Sequence, residues 1–428
     1  MDSALGVGVL CLQDVAVSKK SEPFVVMMTL DRETSSVVLT RSDGKEARQP
    51  MGQSPFESTS LLSRLHYSPA LGGLLAVTCK GDDIAFELPA RDLDQLERRL
   101  VVYLDQNMWR PVSEALQGGA TVESKDRDAA DQLAEWVRDR RIVLPASAGH
   151  YHETTKWSLA DKRYRLGLTI LQLSRGWQMR DPLQVRRDEI GGMFRGWLGQ
   201  GDDVRAASVF TLAPNSLHSA SRLTSYSPPS DFSVADAFRM VSLTSASAYI
   251  DVMLDTERVE PGPEPGWVQS NQQFSDWLDG QNWDSQQKRR SIDAFLFADL
   301  QRDLAEGAHA AGLSPQDLQQ WGQKQPMDGL STLPATGLYR EMLHNRHLNK
   351  GTTWQRNDLT DMIYLSCAAG YADFVVCERH MREPLERGVR RLGLRTKVFR
   401  RLSEAVVAVG QALEQQAHDT SASTKKES

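Results

Sequence analysis

The chain has 428 residues, 40% apolar and 25% charged, with a formal net charge of −6. That length allows two or three domains and at least one large core, and the composition excludes wholesale disorder. The acidic balance excludes a protein whose whole surface grips nucleic acid, but not an acidic metal centre ringed by local basic patches.

No apolar run approaches the ~20 residues of a membrane helix. The opening MDSALGVGVLCLQDV has no basic residue before its apolar stretch, so no signal peptide is expected. Cys11, Cys79, Cys367 and Cys377 lack CxxC spacing and sit in apolar surroundings. They read as small buried hydrophobes in a reducing compartment, and the expected location is cytoplasmic.

Residues 1–98 are expected to form a β-rich N-terminal domain. GVGVLCL, PFVVMMTL, SSVVLTR, GGLLAVTC and DIAFELP are short β-prone runs, separated by the turn clusters DRET, RSDGKE and KGDD. A small sandwich or barrel would use them, followed by a helix in RDLDQLERRL. The segment carries no catalytic constellation; a protein partner through it, like homo-oligomerisation, stays open.

VVYLD begins a different regime. Its fully apolar strand ends at Asp105, with Asn107 two residues on and a helix expected around 111–116. A second helix over 126–138 precedes the strand IVLPAS, so a parallel sheet flanked by helices is predicted. Ser147 suits an N-cap for a helix running through Glu153 and Trp157. Residues 191–350 read as a helical insertion broken by SYSPPSD and PGPEPG. The stretch NDLTDMIYLSCAAGYADFVVCERHM then gives a helix opened by Asp358 and Asp361, a turn, and a short apolar strand ended by Glu378. RTKVF is the expected last strand and LSEAVVAVGQALEQQ the closing helix; residues 416–428 are expected to be a disordered tail.

Each acid has a plain explanation. Asp105 can cap a helix or set a turn, Asp358 can cap, and Glu153 can be an exposed helix residue. Asp361 lies one turn too deep for capping, and Glu378 repeats the strand-end position of Asp105. Ligands of open α/β sheets bind beyond the carboxyl ends of the strands, which is where Asp105 and Glu378 belong. If these strands are neighbours, the acids converge and repel, which implies a divalent cation. Oxygen-only donors select Mg²⁺ or Mn²⁺, which can hold and polarise a phosphodiester.

VVYLDQNMW, PASAGHYHE and NDLTDMIYLSCAAGYADFVVCERHM together resemble the PIN and PIN-like nuclease domains. The resemblance implies metal ligands and catalytic acids at Asp105, Glu153, Asp361 and Glu378, with Asp358 as an auxiliary ligand. It covers roughly residues 100–200 and 355–400 of an expected α/β domain over 99–415, and implies Mg²⁺ or Mn²⁺ as cofactor and hydrolysis of phosphodiester bonds, RNA before DNA. A toxin or phage-defence setting is implied by the family alone. Glu378 stands where the family usually has Asp, and the long insertion departs from its pattern. The alternative is an inactive scaffold that binds nucleic acid or protein.

Basic residues beside the acids are the expected backbone contacts: Lys156, Arg163, Arg165 and Arg175 after Glu153, and Arg379 after Glu378, with Asn107 near Asp105. Trp109, Tyr151 and Trp157 are candidate base-stacking groups, although core packing explains most such aromatics. His150 and His152, or the pair His344 and His347, offer a competing histidine metal site. No GxxxxGK[ST], strand-following GxGxxG or GxSxG occurs.

Overall fold

The computed structural model describes residues 22–51, 61–69, 72–88, 96, 99–118, 122–200, 209–213, 216, 234–255, 257–259, 266–324 and 326–427. The expected strand GVGVLCL, Cys11 and most of the expected helix RDLDQLERRL lie outside the described residues.

The N-terminal region forms β1 (Val25–Asp31), β2 (Ser36–Arg41), β3 (Glu46–Pro50), β4 (Leu62–Ser68), β5 (Gly73–Thr78) and β6 (Asp83–Glu87). These make one antiparallel sheet in the order β3-β2-β1-β4-β5-β6. Gly44 (φ 78°) and Gly81 (φ 86°) supply the left-handed positions of two turns. Every residue of β3 is exposed, so that edge strand carries no apolar signature. In β4 and β5, by contrast, Leu65, Tyr67, Leu74 and Ala76 turn alternately inward.

The chain continues through β7 (Leu100–Leu104), α1 (Gln106–Leu116), α2 (Ser124–Arg138), β8 (Ile142–Val143), α3 (Ala148–Thr154) and α4 (Ala160–Ser174). Next come β9 (Gln178–Met179), α5 (Pro182–Trp197), β10 (Phe210–Thr211), α6 (Val234–Leu254), α7 (Gly266–Asp279) and α8 (Ser285–Ala310). Then follow α9 (Pro315–Gln323), α10 (Pro326–Thr332), α11 (Pro334–Leu348), α12 (Asp358–Tyr371), β11 (Phe374–Val376), α13 (Arg379–Leu392), β12 (Lys397–Phe399) and α14 (Leu402–Glu427).

The protein is therefore mixed α/β, with a parallel four-stranded sheet ordered β12-β11-β7-β8. Helix α1 begins directly after Asp105 and carries Pro111 inside it, rather than starting near Pro111. Strand β8 is only two residues long; IVLPAS leaves the sheet after Val143, apart from a bridge between Ala146 and Gln178. Helix α14 extends to Glu427, so the backbone through most of the expected tail is helical.

The N-terminal strands do not close a sandwich or barrel among the described residues. One face of their sheet meets α4 and α6 instead. Tyr164 Oη donates to Asp82 (2.6 Å), and Gln172 donates to the Asp83 carbonyl (2.9 Å). The Glu87 amide donates to the Arg175 carbonyl (2.8 Å), and the Leu61 amide to Asp251 (2.8 Å). Leu65, Ala76 and Phe86 of that sheet share one continuous apolar cluster with Val102, Leu104 and Leu171. A second cluster joins Tyr103 and Val375 to α5, α8, α11, α12 and α13. Helix α11, placed in the insertion by its sequence, thus belongs to the packing around the parallel sheet. Its entry into that core depends on Glu189, a buried carboxylate. Glu189 accepts from the amides of Ala335 (2.7 Å) and Thr336 (2.9 Å), from Thr336 Oγ1 (2.6 Å) and from Tyr371 Oη (2.7 Å). Three of those bonds satisfy first-turn groups of α11 that would otherwise be buried without partners.

Candidate metal centre

The parallel register sets the site. Val376 pairs with Leu104, so Asp105 and Cys377 are the next residues beyond two adjacent strands, and Glu378 follows one residue later. The Asp105 amide donates to the Val376 carbonyl (2.9 Å), extending the ladder to the edge. Asp105 caps α1, its carboxylate accepting from the Gln106 amide (2.9 Å), and it also accepts a backbone hydrogen bond from Glu378. The plain capping role and the clustered position are therefore both true of this residue.

Helix α3 delivers Glu153. Ser147 is its N-cap, as expected, in a reciprocal box with His150: Ser147 Oγ accepts from the His150 amide (3.4 Å), and the Ser147 amide donates to His150 Nδ1 (3.1 Å). The helix ends at Thr154, short of Trp157. With Nδ1 accepting, His150 Nε2 carries the proton and donates to the Leu104 carbonyl (2.8 Å), one residue before Asp105. Its ring stacks on Tyr103 with centroids 5.2 Å apart. Burial pushes His150 down to about 3, so it is a neutral strut whose two ring nitrogens are both taken by backbone groups.

Helix α12 brings Asp361. Burial first, then the charges of Asp105, Glu153, Asp358 and Glu378, push its carboxyl up to about 8. Burial likewise drives Asp105 up to about 7, with Glu153 and Glu378 adding to the rise. Glu153 is raised by burial and by Glu378, against the pull of Lys156. The four acids, drawn from positions 105, 153, 361 and 378, thus share one electrostatic neighbourhood. Asp358 is different. It takes Arg346 (2.6 Å) and the Gln355 amide (2.6 Å), which makes it a fixed anchor for the start of α12. Asp373, at the opposite sheet edge, accepts from the Val101 amide (2.8 Å), as suits a turn residue.

A hard divalent cation suits these donors in kind and in charge: all are oxygen, and burial and crowding raise Asp105 and Asp361 to about 7 and about 8. Spacing is a separate matter. Among the described residues, no three histidine, cysteine, aspartate or glutamate side chains form a metal-ligand set as they stand. Mutual repulsion disfavours close approach of ionised carboxylates. Glu378 is meanwhile held by Asn107 Nδ2 and by His380 (3.2 Å). Asn107 is therefore a partner of Glu378, not a free substrate contact.

The expected basic contacts divide. Lys156 stays beside the site, its Nζ donating to Asn357 (3.2 Å), and Arg379 is exposed next to Glu378. Arg163 is buried, donating to the Trp157 carbonyl, which leaves it no face for a phosphate. Arg165 pairs with Asp161 (2.9 Å). Arg175 is the left-handed C-cap of α4 and lies beside Glu87 (3.7 Å), against the N-terminal sheet. Arg400 was not among the sequence candidates. It follows β12, whose Phe399 pairs with Val376, so it stands at the same sheet edge as Glu378. The strand-end logic applied to Asp105 would have found it.

Of the aromatics, Trp109 is fully buried core, while Tyr151 and Trp157 are half-buried. Arg110 lies over the Trp157 ring at 5.5 Å. His344 is held between Asp293 (2.8 Å) and Arg289 (2.9 Å), and His347 by Ser275 (2.8 Å). Two arginines on the Asp293 cluster make it a poor place for a cation. Cys367 and Cys377 are buried, but Cys79 is exposed. Among the described residues, no helix is long and apolar enough to cross a membrane. No protein-family model, no curated protein and no solved structure matches this chain.

Proposed function

We propose that the chain is a metal-dependent nuclease of PIN-like type, hydrolysing phosphodiester bonds, with RNA as the preferred substrate. The observation that carries this reading is the coupling of four carboxylates at one edge of a parallel sheet, with Asp105 and Asp361 driven up to about 7 and 8. Structural acids that only cap helices gain nothing from such crowding; a cation site requires it.

Asp105, Glu153, Asp361 and Glu378 would hold one or two Mg²⁺ or Mn²⁺. When bound, the ion supplies the positive charge that polarises a phosphate and makes water a competent nucleophile near neutral pH. The chain's own contribution is to position and to exclude. Asp105 is fixed by the Gln106 and Glu378 amides, so its carboxylate needs little reordering. Asn107 orients Glu378, whose extra methylene relative to Asp lets it reach across from β11. His150 braces the Leu104 carbonyl from behind without carrying charge of its own. Lys156 and Arg379 flank the acids, where phosphate oxygens on either side of the scissile bond would lie.

The rival reading, a binding scaffold with inert acids, has one observation in its favour: no ready-made ligand set exists among the described residues. Labelled RNA, single-stranded DNA and forked DNA incubated with Mn²⁺ separate the two. Cutting lost in Asp105→Asn and in Asp361→Asn, and lost in EDTA, supports the nuclease. Binding that ignores EDTA, with every substrate left intact, supports the scaffold. A toxin or defence role extends the family likeness and needs growth assays after the chemistry is known.

A further inference from the structure

Beside Glu378 the surface opens into a groove of about 560 Å³, lined by Met108, Glu378, Arg379, His380, Glu383 and Arg400. That volume lies within the ~300–1,000 Å³ usual for ligand sites. Glu378 belongs to both the groove and the acid cluster, and sheet order sets them along one edge: Arg400 follows the edge strand β12, Glu378 follows β11, and Asp105 follows β7. Most arginines nearby are spent on acids. Arg382 reaches Glu386 (3.6 Å), Arg387 holds Glu383, Arg391 holds Glu341 (3.0 Å), and Arg110 holds Glu114 (2.9 Å). Arg379 and Arg400 are exposed and have no hydrogen-bond or ion-pair partner for their guanidinium groups among the described residues. The groove also meets the N-terminus of α13, where Glu378 makes no side-chain capping bond.

We propose that this groove carries the phosphodiester backbone of an unpaired nucleic-acid strand to the carboxylate cluster, with Arg400 and Arg379 as its phosphate contacts. This rests on the nuclease reading and deepens it by assigning the strand's path. Two unpaired guanidiniums lining one open channel are complementary to a line of phosphates. Met108 gives the floor an apolar surface on which a ribose or base can lie. The path runs over the β11–β12 edge; α4, where Arg163 is buried and Arg165 is paired, offers no such surface.

The test uses the full chain in EDTA, so that affinity is read without cutting. A fluorescein-labelled single-stranded 20-mer, as RNA and as DNA, is titrated by anisotropy at several salt concentrations against wild type, Arg400→Ala, Arg400→Lys, Arg379→Ala and Arg391→Ala. Arg400→Ala and Arg379→Ala should each weaken binding roughly tenfold, the loss of one charge-assisted bond. The slope of log K against log salt should fall by about 0.7 for each, and Arg400→Lys should keep the slope. Arg391→Ala, whose arginine is committed to Glu341, should bind as wild type. Unchanged affinity and slope in both groove variants overturn the proposal, as does an equal loss in Arg391→Ala or tighter binding of duplex than of single strand. A parallel Mn²⁺ cleavage assay keeps the two claims apart. Cutting with no groove effect removes the path and leaves the nuclease. Arg400-dependent binding without cutting removes the nuclease and leaves the path.

Discussion

Asp361→Asn tests the crowding directly. On folding, the Asp361 carboxyl moves from 3.8 to about 8, because burial and four neighbouring acids disfavour its charge. A rise of about four units at about 1.4 kcal/mol each sets a ceiling of about 6 kcal/mol. Protonating any one carboxylate relieves the others, so about 2–3 kcal/mol should reach the measured stability. The sign follows from linkage: between pH ~4 and ~8 the folded chain holds a proton that the unfolded chain has lost. Stability is therefore full at low pH and declines as pH rises through that window. Asparagine keeps the volume and removes the charge. In EDTA the variant should be only slightly the more stable at pH 5, early in that window, and the more stable by about 2–3 kcal/mol at pH 9.

Differential scanning calorimetry at pH 5, 7 and 9, with and without Mn²⁺, reads all of this. Manganese at 100 times its Kd should return about 2.7 kcal/mol to wild type, and much less to Asp361→Asn, which lacks one oxygen charge. A variant that is less stable than wild type at pH 9 in EDTA would refute the reasoning. So would equal stabilisation of both proteins by Mn²⁺. Either result would mean that Asp361 is already compensated by its surroundings and that no cation is called for.

Other perturbations probe the frame around the site. Glu189→Ala leaves the Ala335 and Thr336 amides buried without acceptors and should cost about 4 kcal/mol, seen as a lower urea midpoint. His150→Ala, which frees the Leu104 carbonyl and opens a cavity beside Trp109, should cost about 3 kcal/mol at pH 7. Because folding lowers His150 from 6.5 to about 3, its contribution is full above pH 6.5 and is lost as pH falls toward 3. Wild type should lose that advantage over the variant on acidification. Gly167→Ala drives a methyl into the Met253 carbonyl, where α4 crosses the end of α6, and should cost about 2–3 kcal/mol in thermal unfolding. A thiol reagent should label Cys79 in the native protein while Cys367 and Cys377 stay protected until unfolding.

What could be read from the sequence follows the range of the forces involved. Strand-end acids were legible because a strand's apolar run and its terminating residue are local, and a parallel register needs no knowledge beyond neighbouring strands. The Ser147 cap was legible for the same reason. Strand β3 was not, because an exposed edge strand such as EARQP buries nothing and leaves no periodicity. The N-terminal strands form neither the expected sandwich nor a barrel because the inner face of their sheet is covered by α4 and α6, more than 80 residues away in sequence. Charge roles failed most often. Arg163 and Arg175 both come after Glu153 in the chain, yet one is buried against the Trp157 carbonyl and the other lies beside Glu87 of the N-terminal sheet, surroundings that only the folded structure supplies. An arginine's availability is a property of its acids, not of its position. The same principle turns attention to Arg400, which carries no motif and is available because β12 ends at the sheet edge where the acids gather and no nearby acid claims it.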